Sequence, residues 1–226
     1  MILSHALRIP SQGRKKATYI TATDDAVDRT TYTFASQSIG TATNDRVVIV
    51  CVAGGSTNNR TITGVTLGGT SMSVVVDNGN TNPCCAIYKL AVSSGTTASV
   101  VVTFSAGQTR CAIAIYSFTG WGNVTTYSTD NKATNTVTTV ASSVNNKQYG
   151  YAIAVFQSLQ TGGLNRTLSS TSGTGSTDAN LNTETPFRAV FASTGSSLLS
   201  ANSTGTNYAA TFSGNTFYGS AIAVFI

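Results

Sequence analysis

The sequence has little charge. Only 9% of its 226 residues are Asp, Glu, Lys or Arg, against roughly 25% in an average soluble protein. Disorder as a class pairs high charge with low hydrophobicity. A chain that is 41% hydrophobic has neither property. Histidine occurs once, at His5, and glutamate once, at Glu184. A Ser-His-Asp or Cys-His relay would therefore have to be built on His5. Glycoside hydrolysis needs two facing carboxylates, whereas Asp45, Asp77, Asp130, Asp178 and Glu184 each stand alone among polar residues. No run approaches the 18 or so apolar residues of a membrane-spanning helix. Met1-Ile2-Leu3-Ser4 is too short for the apolar region of a signal peptide, and the basic run follows it instead of preceding it. The expectation is a protein folded in a cytoplasm, with no membrane partner, no cofactor, no metal and no catalytic residues.

Sustained 3.6-residue periodicity is also missing, so little helix is expected and no phosphate-binding loop opens onto one. Asp24, Asp25 and Asp28 cluster, but they lack the spacing of a calcium loop. Cysteine occurs at four positions, Cys51, Cys84, Cys85 and Cys111. None forms a Cys-x-x-Cys pair, which argues against a zinc site. They read as buried free thiols, with a Cys51–Cys111 staple between two long strands as the alternative. Neighbouring Cys84 and Cys85 point to opposite faces of a strand.

What is present is Ser, Thr, Asn and Gly between short β-branched and aromatic runs. Thr31–Ser36 alternates through Tyr32 and Phe34. Arg46–Ala53 is a continuous apolar run, as expected of a strand buried on both faces. Thr61–Leu67, Met72–Val76, Cys84–Val92, Ser99–Phe104 and Cys111–Phe118 follow, separated by turn signals such as Asn78-Gly79. A second series comprises Thr136–Ala141, Tyr149–Leu159, Asn165–Ser170, Pro186–Ser193, Asn207–Phe212 and Thr216–Ile226. The run Ser169–Asn182 reads as a long exposed loop.

Four short matches link the two series in the same order. Asn59–Thr63 resembles Asn165–Ser169, and Pro83–Tyr88 resembles Pro186–Phe191. Thr103-Phe104-Ser105 recurs as Thr211-Phe212-Ser213, and Cys111–Tyr116 as Ser220–Phe225. Self-similarity in order suggests a duplicated unit. The fold expected is all-β, an internally duplicated antiparallel β-sandwich of jelly-roll or immunoglobulin-like type. The boundaries read as an arm over residues 1–29, a first unit over 30–120, a connector over 121–135 and a second unit over 136–226, the units being separate or fused into one domain.

The arm holds Arg8, Arg14, Lys15 and Lys16 before any acid appears, together with the apolar Met1, Ile2, Leu3 and Leu7. These eight residues are the candidate docking set, apolar area supplying burial and cations supplying salt-sensitive attraction. Arg14-Lys15-Lys16 is too isolated for a nucleic-acid surface, which needs a dense basic face. Sugar binding needs exposed aromatic platforms. Trp121, flanked by glycines in the connector, and Tyr127 are the leading candidates, ahead of Tyr149, Tyr151, Tyr208, Phe217 and Tyr218.

The stretches Tyr32-Thr33-Phe34, Asp45–Val50 and Ile62–Gly69, with Val100–Ser105 and Arg110–Tyr116, resemble a family of uncharacterised proteins of tailed phages and prophages. The resemblance covers about residues 30–120 well and the second half loosely. It implies a structural role in a virion, as a capsid decoration, head fibre or tail-associated protein made in the host cytoplasm. Its partners would be capsid or tail subunits and further copies of the chain, with a surface glycan as the alternative ligand. It supplies no catalytic residues.

Overall fold

In a computed structural model, which describes residues 15–159, 168–173, 175–184 and 187–226, the chain is all-β. No helix occurs among the described residues. Every strand ladder is antiparallel.

The first sheet centres on β3 (Val47–Gly55), the apolar run of the sequence. β9 (Arg110–Thr119) and β7 (Cys84–Ala91) flank it, with β1 (Lys16–Asp25) and β6 (Ser73–Asp77) at the edges. The second sheet runs β2 (Arg29–Ser38), β8 (Thr97–Gln108), β4 (Ile62–Leu67), β5 (Thr70–Ser71). The third runs β10 (Thr126–Asn146), β15 (Ser203–Phe225), β11 (Tyr151–Leu159), β14 (Phe187–Ser193), β13 (Ser176–Glu184), and β12 (Leu168–Ser172) also pairs with β15.

Among the described residues, side-chain alternation sorts the core into three clusters. Val48, Val50 and Val52 of β3 face the second sheet, where they meet Tyr32, Phe34, Val100, Val102 and Phe104. Ile49, Cys51 and Ala53 face the other way, onto Tyr151, Ile153 and Val155 of β11. The opposite face of the third sheet carries Ala154, Phe156, Ile222 and Val224, which pack with Tyr208, Ala210 and Phe212. One half of β15 thus packs on the other half, so the long β10–β15 ribbon bends back over its own sheet. Register shifts around Thr134, Val137 and Thr139 mark the bend, as bulges do at sheet corners.

The faces on which the first and third sheets meet are small at their centre. Ala112 and Ala114 of β9 and Ala221 and Ala223 of β15 line this seam, while Ile113, Ile115, Ile222 and Val224 point outward. Two glycines bring the backbones closer still. A Cβ on Gly55 would lie 2.6 Å from the Phe187 ring, and one on Gly219 would lie 2.7 Å from the Pro83 carbonyl oxygen. At one end the seam closes on aromatics. Phe118 stacks on Trp121 at 5.0 Å and meets Tyr151 and Phe225 edge-on at 5.4 and 5.3 Å.

Several expectations need correction. The arm over 1–29 is not all arm. Lys16–Asp25 pairs with β9 from Thr119 to Cys111, and its Ala17, Tyr19 and Ala22 pack on the seam cluster. Residues 1–14 lie outside the described residues. The connector over 121–135 shrinks because β10 begins at Thr126, pairing with the last strand. The loop expected over Ser169–Asn182 is instead strands β12 and β13 around Gly173, polar residues forming strands because β15 and β14 present paired edges. Asn207–Phe212 and Thr216–Ile226 fuse into one strand.

The Cys51–Cys111 staple is excluded: both thiols are free, and they face different core clusters. Cys84 and Cys85 do point to opposite faces. The match of Pro83–Tyr88 to Pro186–Phe191 is out of register. Ile87 faces the seam but its counterpart Val190 faces away, and a slip of one residue inverts every side chain.

Two outcomes follow. Replacing Ala114 or Ala223 by Leu should cost about 1–3 kcal/mol by overpacking the seam, read as a lower midpoint in urea unfolding. Deleting residues 1–14 should leave the melting temperature nearly unchanged, whereas deleting 1–25 removes an edge strand and should lower it by several degrees, about 2–4 °C for each kcal/mol lost.

Candidate functional site

A surface concavity of about 890 Å³ opens where the seam meets solvent at its aromatic end. Lys15, Lys16 and Ala17 at the start of β1 form one wall, Tyr149 and Tyr151 at the start of β11 another, and residues 196–200 after β14 the third.

Its framework follows from local chemistry. The Trp121 indole N–H donates to the Lys16 carbonyl at 3.0 Å, and the Lys15 ammonium lies 4.6 Å above the Trp121 ring. The entry of β1 is therefore pinned to the buried Trp121. On the opposite wall the Tyr149 N–H donates to the Leu199 carbonyl and the Leu199 N–H donates to the Gly150 carbonyl, both at 2.8 Å. The Tyr151 hydroxyl lies 2.8 Å from Ser193 Oγ and 3.0 Å from the Gly195 carbonyl. Burial pushes its pKa up to about 12, the Ser193 hydrogen bond opposing.

Tyr149 is held at φ 64°, a left-handed conformation that is uncommon for a bulky residue. Its side chain is 63% exposed, the most exposed large hydrophobic among the described residues. Strain kept at a solvent-facing aromatic motivates a functional reading. No acidic residue lines the groove, and its two charged residues are lysines.

The structure redistributes the sequence candidates. Met1, Ile2, Leu3, Leu7, Arg8 and Arg14 lie outside the described residues. Lys15 and Lys16 flank the groove. Trp121, expected as an exposed glycan platform, is 6% exposed and belongs to the core; its polar N–H is satisfied by backbone and its ring by Phe118, leaving no open face. Tyr127 is 43% exposed, with the Lys147 ammonium 6.0 Å from its ring centroid. Tyr151, Tyr208 and Tyr218 are buried, while Phe217 is at the edge of exposure and lines a second, neutral concavity with Thr57, Asn59, Thr81 and Asn82. Sequence reasoning placed Tyr149 among minor candidates and missed the Ser196–Ser200 wall. The Tyr149-Gly150 and Thr194-Gly195 pairs were the available signals, each a turn marker beside a strand end.

Elsewhere the polar groups are structural. Arg46, 1% exposed, donates from its guanidinium to the carbonyls of Gly40, Val92, Ser94 and Gly95, tying two loops to the first sheet. The Tyr116 hydroxyl donates to Asp178 Oδ2 at 2.8 Å across the seam. Asp25 pairs with Arg29 at 3.2 Å, and Asp28 approaches Arg110 at 3.7 Å. Among the described residues no three His, Cys, Asp or Glu side chains converge as a metal site. No protein-family model matches this chain, and no curated protein matches it.

The buried thiols and phenols set a pH response. Burial, the leading cause in each case, raises Cys51, Cys85 and Cys111 well above 9.0 and Tyr116 well above 10.0, and it raises Tyr88 to about 12. A folded-state pKa above the unfolded value gives stability that is complete below the unfolded pKa and is lost as pH rises toward the folded one. Unfolding in urea at about pH 10.5 should therefore have a lower midpoint than at about pH 8. The four thiols should resist a thiol reagent in the native protein and react in denaturant. Adding reductant should leave the melting temperature unchanged.

Proposed function

We propose that the chain is a non-enzymatic structural component of a bacteriophage particle, a capsid decoration or a head- or tail-associated protein, built by internal duplication. The observation that carries this reading is a repeated pairing register. Ile62 of β4 opposes Phe104 of β8, and Leu168 of β12 opposes Phe212 of β15. In both ladders a register shift follows at once, to Gly64 opposite Thr103 and to Ser170 opposite Thr211. A bulge is conserved as a designed feature, so its recurrence at matched positions supports descent of both units from one.

The sheet orders support it further. β1-β9-β3-β7-β6 has the same sequence of roles as β10-β15-β11-β14-β13. With the edge strand β6 set aside, the eight other strands of the first unit alternate as first-eighth-third-sixth against second-seventh-fourth-fifth. That wrapped order favours a jelly roll over an immunoglobulin-like sandwich, and jelly rolls serve in viral capsids and in lectins. Fold alone does not assign function. The low charge, the phage-family resemblance of residues 30–120 and a scaffold copied without any shared polar motif point to the particle role. Docking falls to residues 1–14 with Lys15 and Lys16, homo-oligomers being the expected form.

A second reading, a glycan- or receptor-binding module, is favoured by the groove with Tyr149 exposed on its wall.

Purified virions should contain the protein in stoichiometric copy number, and a variant lacking residues 1–14 should fold but fail to enter particles. Absence from gradient-purified particles would sink the first reading, and normal incorporation of the truncated chain would sink the docking role.

A further inference from the structure

We propose that the groove between β1, β11 and the 196–200 segment binds an anionic saccharide, through Tyr149 as ring platform and Lys15 and Lys16 as charge partners. The inference rests on the glycan-binding reading and gives that ligand its chemistry.

Three properties converge on it. The first is size: about 890 Å³ lies within the roughly 300–1,000 Å³ of small-ligand clefts. The second is surface chemistry. Tyr149 offers an exposed ring, while Ser196, Ser197 and Ser200 offer hydroxyls that can donate to or accept from sugar hydroxyls. An aromatic face beside polar groups is what the apolar side of a pyranose and its rim of hydroxyls require.

The third property is charge. Lys15 and Lys16 are exposed and no acid lines the groove, in a chain whose Lys and Arg number 13 against 8 Asp and Glu. Lys15 lines the groove and its ammonium is held in place, resting over Trp121 at 4.6 Å. An ammonium over a ring face keeps its outward side free for an anion. A carboxylate or phosphate substituent on the sugar matches these two point charges, and a neutral glycan would leave them unused.

The platform is also preorganised. The Tyr149 and Leu199 hydrogen bonds and the Tyr151 hydroxyl contacts fix two walls before any ligand arrives. A tyrosine held in the left-handed region is strained. Asparagine adopts that conformation more readily, so Tyr149→Asn removes the ring without breaking the turn.

The test titrates the full chain by calorimetry with three probes: an oligogalacturonate tetramer, the same tetramer fully methyl-esterified, and inorganic phosphate. The acid form should bind, weaken with added salt, and exceed the ester by about tenfold in affinity, equivalent to 1.4 kcal/mol. Tyr149→Asn and the double variant Lys15→Gln/Lys16→Gln should each lower affinity about tenfold or more, the melting temperature of Tyr149→Asn being unchanged or raised. Equal binding of acid and ester would overturn the charge assignment while leaving glycan binding intact. Phosphate binding as tightly as the tetramer would overturn the saccharide. No binding of either tetramer at ~10 mM would overturn this inference, without touching the particle role. Full affinity in Tyr149→Asn would place the site elsewhere and overturn it.

Discussion

The close stacking of the two central sheets is the constraint on which the rest of the structure depends. Each sheet presents alanines to the other at its centre, Ala112 and Ala114 against Ala221 and Ala223, and sends its isoleucines and valines outward. Small residues let the backbones approach, and Gly55 and Gly219 mark where nothing larger than hydrogen fits without displacement. Because the inner faces are covered by each other, the outer faces need separate covers. The second sheet covers one, and the folded-back half of the β10–β15 ribbon covers the other. The layered architecture follows from burying both faces of two apolar sheets.

The groove is a by-product of the same stacking. Where the seam ends, alanines give way to the larger rings of Phe118, Trp121, Tyr151 and Phe225. The entry of β1 and the loop after β14 flank the opening. They are held by backbone hydrogen bonds and a tyrosine hydroxyl. Arg46 likewise has its buried guanidinium satisfied by carbonyl oxygens of loops. Removing it would leave buried acceptors without donors, a costlier state than never having had the charge.

The alternating and continuous apolar runs were legible because a strand records its burial in its residue pattern. Arg46–Ala53 read as a doubly buried strand and became the centre of a sheet, and most other apolar runs appeared within a few residues of their expected limits. Strands whose residues are polar were not legible. β1, β12 and β13 carry Thr, Ser, Asn and Asp in patterns that also suit loops, and they are strands because a neighbouring strand offers its edge. Trp121 was misplaced for a related reason: its flanking glycines signalled a turn, but the turn lies over an aromatic floor that no local pattern encodes.

By itself, then, the sequence determined the all-β class, the position of the apolar strands and the scarcity of catalytic side chains, because these depend on composition and on a period of two residues. Only the tertiary structure decided which face each strand buries against which partner. It rejected one of the four internal matches by a one-residue difference in facing, kept Cys51 and Cys111 apart, and gathered Lys15, Lys16, Tyr149 and the 196–200 segment at one opening. Those three segments are more than 40 positions apart in sequence, and only long-range pairing, which local patterns do not specify, brings them together.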